Sequence, residues 1–270
     1  MDKAAAIRIS WQLSWLIAAG ATAAAAGGLL VPGLYRDNAF VRTAWLGNDL
    51  ITLFIAVPAM VTALALYQRG VQRALFIWIG LLGYMLYNYA FYLFGAHFNE
   101  FFLLYVALFI LPVYALILLL SALDIENLGR QFAEKTPVRW ISAALLFIVV
   151  PLSLMEISQT VQFIRTGTLP STIVETASPT SIVFALDLSL VVPAMYLAAW
   201  LLWQRRAWGC LLGMFMLIKG FSYMLVLLLS SALLAGFSFS GTGDPFTPFY
   251  LFVALVSAVG GIVLLRNFKT

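Results

Sequence analysis

A lysine within one apolar run, "MFMLIKGFSYML", and an aspartate within another, "LDLSLVVPAM", are the residues of this chain best placed for chemistry. Ionisable groups at the depth of Lys219 and Asp187 are costly in hydrocarbon, pair with one another, and mark candidate sites. A lysine stem can carry its ammonium several ångströms along a helix, so the expected contact is a Lys219–Asp187 ion pair. Ser222, Tyr223 and Ser230 continue the Lys219 face at helical spacing. Asn48 and Asp49 stand near the outer end of the second apolar run, and Glu156 near that of the fifth. Asp49, Glu156 and Asp187 outnumber the one cation, so a carboxyl in this layer is expected to take a proton or a cation. That would suit a proton- or cation-coupled binding site, and equally an ordinary wet vestibule.

"YNYAFYLFGAHFN" adds Asn88, Tyr92 and His97. Tyr84, Asn88 and Tyr92 share a face at four-residue spacing. A buried amide needs a partner, so Asn88 should face the bundle interior. The tyrosines are expected as an interfacial belt, and Asn99 with Glu100 as a cap for the next helix. His97 is the only histidine, which excludes bis-histidine haem and histidine-rich metal sites. It reads as an interfacial hydrogen-bonding group. The candidate ligand- or ion-binding set is therefore Asn48, Asp49, Asn88, Asp187, Lys219 and Tyr223, followed by Tyr92, His97 and Glu156. No catalytic residue, metal site or cofactor is implied by a motif. No P-loop, HExxH or GxSxG occurs, which removes support for ATP-driven transport and common hydrolase chemistry. One cysteine, Cys210, excludes an internal disulfide or a CxxC pair.

The elements that must hold these groups follow from composition. The 270 residues are 63% hydrophobic and 10% charged, with a mean hydropathy of +1.00, against about 25% charged in soluble domains. Eight windows reach the roughly 20 apolar residues that a spanning helix needs: 11–34, 46–67, 74–94, 101–123, 138–159, 182–203, 207–234 and 248–265. Backbone groups facing lipid must bond within their own segment, so the expected fold is an all-α polytopic bundle of eight transmembrane helices in one integral membrane domain. With the N-terminus inside, eleven Lys and Arg fall on the cytoplasmic side. Arg36, Arg42 and Arg165 fall outside, and Lys219 lies within a helix. That bias predicts both termini in the cytoplasm and makes the net charge of +4 topological rather than a nucleic-acid footprint. The first run could pass for a signal peptide, but its length and the even count of spans favour a retained helix.

Two longer connections stand out. Residues 124–139 form a charged link between possible halves at 1–123 and 138–270, and residues 159–181 form an outer loop or a small cap. The second and sixth runs share an Asp-Leu pair, then Val-Pro-Ala-Met, then aromatic-Gln-Arg. Asp49 precedes Pro58 by nine residues and Asp187 precedes Pro193 by six, so the match needs a gap. A parallel 4+4 repeat is one expectation and chance similarity the other. Pro58, Pro112, Pro151 and Pro193 should kink their helices.

"GNDL", "YNYAFYLFGAHFN" and "LLWQRRAWG" followed by "LIKG" resemble a group of multi-pass bacterial membrane proteins. The resemblance implies a bacterial cytoplasmic membrane and brings no activity with it. A retinal pigment would use Lys219, but eight helices and a counter-ion on the neighbouring sixth depart from that pattern. The expected function is a small-solute or ion carrier, or a ligand-binding membrane protein. Its expected partners are the lipid bilayer, a small solute, a proton or a cation, and a helical partner or second copy, with no nucleic acid. The alternatives are a non-catalytic subunit or sensor and, third, an intramembrane enzyme acting on lipid or quinone.

Overall fold

Eight apolar windows become eight long helices. A computed structural model, describing residues 2–236 and 244–269, contains α1 (Lys3–Leu30), α2 (Ala39–Gln68), α3 (Arg73–Gly95), α4 (Phe102–Ala122), α5 (Val138–Thr166), α6 (Ile182–Trp203), α7 (Ala207–Leu234) and α8 (Thr247–Asn267). Each is long and apolar enough to cross a membrane, and the described residues form no strand beyond an isolated bridge between Phe132 and Phe268.

Polar residues extend several helices past their apolar windows. In α1, Ser14 donates to the Ser10 carbonyl at 2.8 Å, and Ser10 to the Ala115 carbonyl of α4 at 2.8 Å. α2 begins at Ala39 because the Asn38 side chain accepts from the Val41 N–H at 2.9 Å and so caps a free helix-end donor. α5 continues to Thr166 because Ser158, Thr160 and Thr166 return their hydroxyls to carbonyls three or four residues back. Gly167, at φ 71°, then supplies the left-handed turn that ends it. Glu156 is therefore not near the end of its helix. It lies ten residues from Thr166, roughly 15 Å along the axis at 1.5 Å per residue. The remainder of the 159–181 connection contains a helical turn, Ser171–Thr176. The Asn38 amide donates to the Glu175 carbonyl at 2.9 Å, so this turn covers the start of α2 as a small cap.

α3 is the axis of the bundle. Of its span window 89% is buried, against 33–44% for the other seven. α1 lies along α4 and α2, and α3 packs on α2 and α4. In the second half, α5 packs on α6, α6 on α7 and α7 on α8, and α7 joins the halves through α3 and α2. A Cβ at Gly80 of α3 would stand 2.5 Å from Ile218 of α7, so only glycine permits that approach. On the face bearing most Lys and Arg, the Arg73 guanidinium donates to the Phe268 carbonyl at 2.8 Å. Phe76, Phe132 and Phe268 pack edge to face there, tying α3, the central link and the end of α8 together.

α2 and α6 share one irregularity. Each contains a five-residue π-helical segment, Thr52–Ala56 and Asp187–Val191, followed by a twelve-residue α-helical stretch opening Val-Pro-Ala-Met. Proline has no N–H and its ring crowds the carbonyl four residues back, and a wider turn before it relieves both. The two segments superpose the helices without a gap and set Asp187 opposite Thr52. The Asp-Leu register, which needed a gap, is not the one the helices follow.

Candidate functional site

Polar groups collect around α3, whose "YMLYNYAFY" stretch turns a different side chain toward each neighbour. Tyr87, Tyr89 and Tyr92 are 5%, 2% and 2% exposed, so they are interior donors rather than a belt at the membrane surface. Tyr89 donates to the Ala21 carbonyl at 3.5 Å, and Tyr92 and Tyr87 each serve an acidic site.

At the first site, Asp49 of α2 accepts from Tyr92 at 2.8 Å on Oδ1 and from Tyr35 at 2.6 Å on Oδ2. Trp45 stacks on Tyr92 with centroids 4.6 Å apart, and Tyr35 and Tyr105 close the aromatic wall at 6.2 and 5.1 Å from Tyr92. Gly28 of α1 makes this possible, because a Cβ there would stand 2.0 Å from Asp49 Oδ2 and 2.3 Å from the Tyr35 hydroxyl. Burial, with the Asp49 charge beside it, pushes the Tyr35 phenol well above its ordinary range, so it remains a neutral donor. A cleft of about 240 Å³ opens beside this site, lined by residues 28–35 and Arg42. Tyr35 is thus part of the cleft wall and a ligand of Asp49 at once.

At the second site, Asp187 of α6 accepts from Tyr87 of α3 at 2.5 Å. Lys219 of α7 is 6% exposed and makes no ion-pair contact with Asp187. Its ammonium lies 3.3 Å from the centroid of the Tyr87 ring and 5.0 Å from that of Tyr223, a cation–π arrangement. Tyr87 and Tyr223 meet edge to face at 4.9 Å, and Phe91 stacks on Tyr223 at 5.9 Å. The expected direct pair is therefore interrupted by one phenol: its ring faces the ammonium and its hydroxyl the carboxylate. Glu156 of α5 is wholly buried beside Asp187, and no donor among the described residues reaches either of its carboxyl oxygens.

Between the two acids, Thr52 at the start of the first π segment shares a 2.9 Å bond with Tyr84 and accepts from the Asn88 amide at 3.4 Å. Asn88 faces inward, as a buried amide must. Asn48 donates to the Ala44 carbonyl at 3.1 Å. The Oδ1 atoms of Asn48 and Asn88, and the Ser230 hydroxyl packed on Gly47, have no partner among the described residues.

The candidate residues therefore divide. Asp187, Lys219, Tyr223 and Glu156 come together around Tyr87, Asp49 joins Tyr92, and Asn48 and Asn88 lie along the α2–α3 contact. His97 belongs to neither group. Its side chain is 67% exposed, with Nδ1 3.3 Å from Asp37. Asp37 also accepts from the His97 N–H at 3.1 Å and from the Trp45 indole at 3.2 Å, which ties the α1–α2 and α3–α4 connections together. Asn99 accepts from the Phe101 N–H at 2.9 Å and shapes the turn into α4. Sequence reading passed over Tyr35, Asp37, Thr52 and the bridging role of Tyr87. One signal for Tyr87 was available: α3 has the lowest hydropathy of the eight spans, 1.5, and the least apolar span is the one best placed inside the protein. No family model, curated protein or solved structure matches the chain.

Proposed function

We propose that this chain is a carrier or receptor for a small solute or ion in a bacterial cytoplasmic membrane, with both ends in the cytoplasm. Its site is formed by Asp187, Tyr87, Lys219 and Tyr223. One observation carries the reading: two buried opposite charges stand on either side of a phenol without closing on each other. A lysine and an aspartate that served packing alone would gain most from direct contact, because attraction at low dielectric is what offsets their desolvation. Held apart, each has capacity for a polar solute. The π segment that begins at Asp187 supports the same assignment, since such segments recur at functional positions. The excess of Lys and Arg on one face supports the orientation.

The test is mass spectrometry of small molecules released from gently purified protein, wild type beside Lys219→Met. A defined compound released from the wild type and missing from the variant is the expected result. Bulk lipid alone from both would reduce Lys219 and Asp187 to a packing arrangement.

A further inference from the structure

Glu156 is the least satisfied polar group described in the bundle. Its exposure is 0%, both carboxyl oxygens lack a donor among the described residues, and α5 packs on the π segment that begins at Asp187, which brings the two carboxyls together. Desolvated acceptors without donors are costly, and two adjacent carboxylates repel besides. One proton lying between the two groups ends the repulsion and gives one of these oxygens a donor. We infer that Glu156 and Asp187 form a one-proton site, with Lys219 as its counter-charge and Tyr87 as the bridge between them.

Charge counting gives the stoichiometry. Two carboxylates and one ammonium leave a single negative charge on a cluster buried in an apolar bundle, and one proton cancels it. The groups facing the pair are few: Tyr87 from α3, Lys219 and Tyr223 from α7, and Tyr196 of α6, which shares a 3.1 Å bond with Ser153 one turn before Glu156. No third His, Cys, Asp or Glu converges on them among the described residues. Two carboxyls and a phenol are too few oxygens for the six to eight that a hard metal ion takes, whereas a proton between two carboxyls needs no further ligand. Tyr87 then explains why Lys219 stands off: its hydroxyl and the shared proton satisfy Asp187, leaving the ammonium to the rings. Loss of the proton leaves a net negative cluster toward which Lys219, on a flexible stem, is drawn. Proton binding and the position of Lys219 are thus coupled. The inference deepens the carrier reading by naming its counter-ion, and it rests on that reading only for the use made of the proton.

Infrared spectroscopy counts protonated carboxyls directly through their deuterium-sensitive carbonyl band, on protein in lipid membranes at neutral pH. Relative to wild type, Glu156→Gln and Asp187→Asn should each lose the area of one group, because the remaining carboxylate is balanced by Lys219. Lys219→Met should gain the area of one group, since two carboxyls without an ammonium need two protons. The opposite signs separate this cluster from any other buried acid, and the Lys219→Met gain stands as a second test if a carboxyl variant does not fold. An unchanged band in correctly folded Glu156→Gln, or in folded Lys219→Met, overturns the inference. If a released solute still depends on Lys219 while the band does not respond, the solute site stands and the proton site fails. If the band behaves as described and no solute is found, the proton site stands without the carrier reading.

Discussion

Asp49 and Asp187 are the same device with different surroundings. Each lies in a helix that carries a π segment before Val-Pro-Ala-Met, and each accepts from a phenol of α3: Tyr92 for Asp49 and Tyr87 for Asp187. Around Asp49 both oxygens meet neutral hydroxyls and the walls are aromatic, so the group is satisfied even though a cleft opens beside it. Around Asp187 one phenol is shared with an ammonium, and a second carboxyl without a donor adjoins it, so the arrangement is short of donors. A buried acid bonded by neutral donors holds structure together. One whose counter-charge is kept at a distance is the site we propose for a ligand.

The comparison breaks most visibly at the acids themselves. A hydrogen bond from a solute to a charged group is worth about 1.5–3 kcal/mol, so Asp187→Asn should weaken solute retention by about 10- to 100-fold. Asp49→Asn should leave retention within about threefold and act on stability. Mass spectrometry of released solute beside thermal unfolding separates the two, and equal effects on retention would merge the sites into one. Next in size, Gly28→Ala drives a methyl into Asp49 and Tyr35 and should destabilise by about 1–3 kcal/mol. It should lower the melting temperature and spare the solute. A loss of solute in folded Gly28→Ala would show that the first site is part of the second.

The matched pair Tyr92→Phe and Tyr87→Phe each deletes one donor to a buried carboxylate, worth about 1–3 kcal/mol, and keeps the ring. Tyr92→Phe should appear only in the melting temperature. Tyr87→Phe should also change solute affinity, because it releases Asp187 toward Lys219. The smallest effect belongs to Arg36, which is exposed and pairs with Glu100 across two connections. Arg36→Ala should cost about 1 kcal/mol or less, with any difference from wild type vanishing in high salt.

The spans were legible because hydropathy and length decide them. α6 and α7 fall on their expected residues, and α5 outruns its window only through hydroxyls that bond their own helix. The candidate acids were legible as well, since charge at membrane depth is rare. What lay beyond the sequence was adjacency. Asp187 and Asp49 look interchangeable by motif, yet one faces Glu156 and Lys219 and the other faces Tyr35, and that depends on which helix packs where. Tyr87 looked like an interfacial tyrosine because its environment is set by the helices around α3, not by its neighbours in the chain. Lys219 was found, but its contact was not, since reach alone does not tell a carboxylate from an aromatic face.

The π segments have a mechanical meaning. Each carries one residue more than an α-helical path would use, stored as slack. Returning one segment to α-helical hydrogen bonding would advance the stretch beyond its proline by about 1.5 Å and turn it by about 100°. Such a change proceeds by one whole residue or not at all. Because each proline crowds the carbonyl four residues back, that return would restore the clash the wider turn relieves, so the proline acts as a pawl that holds the extra residue in place.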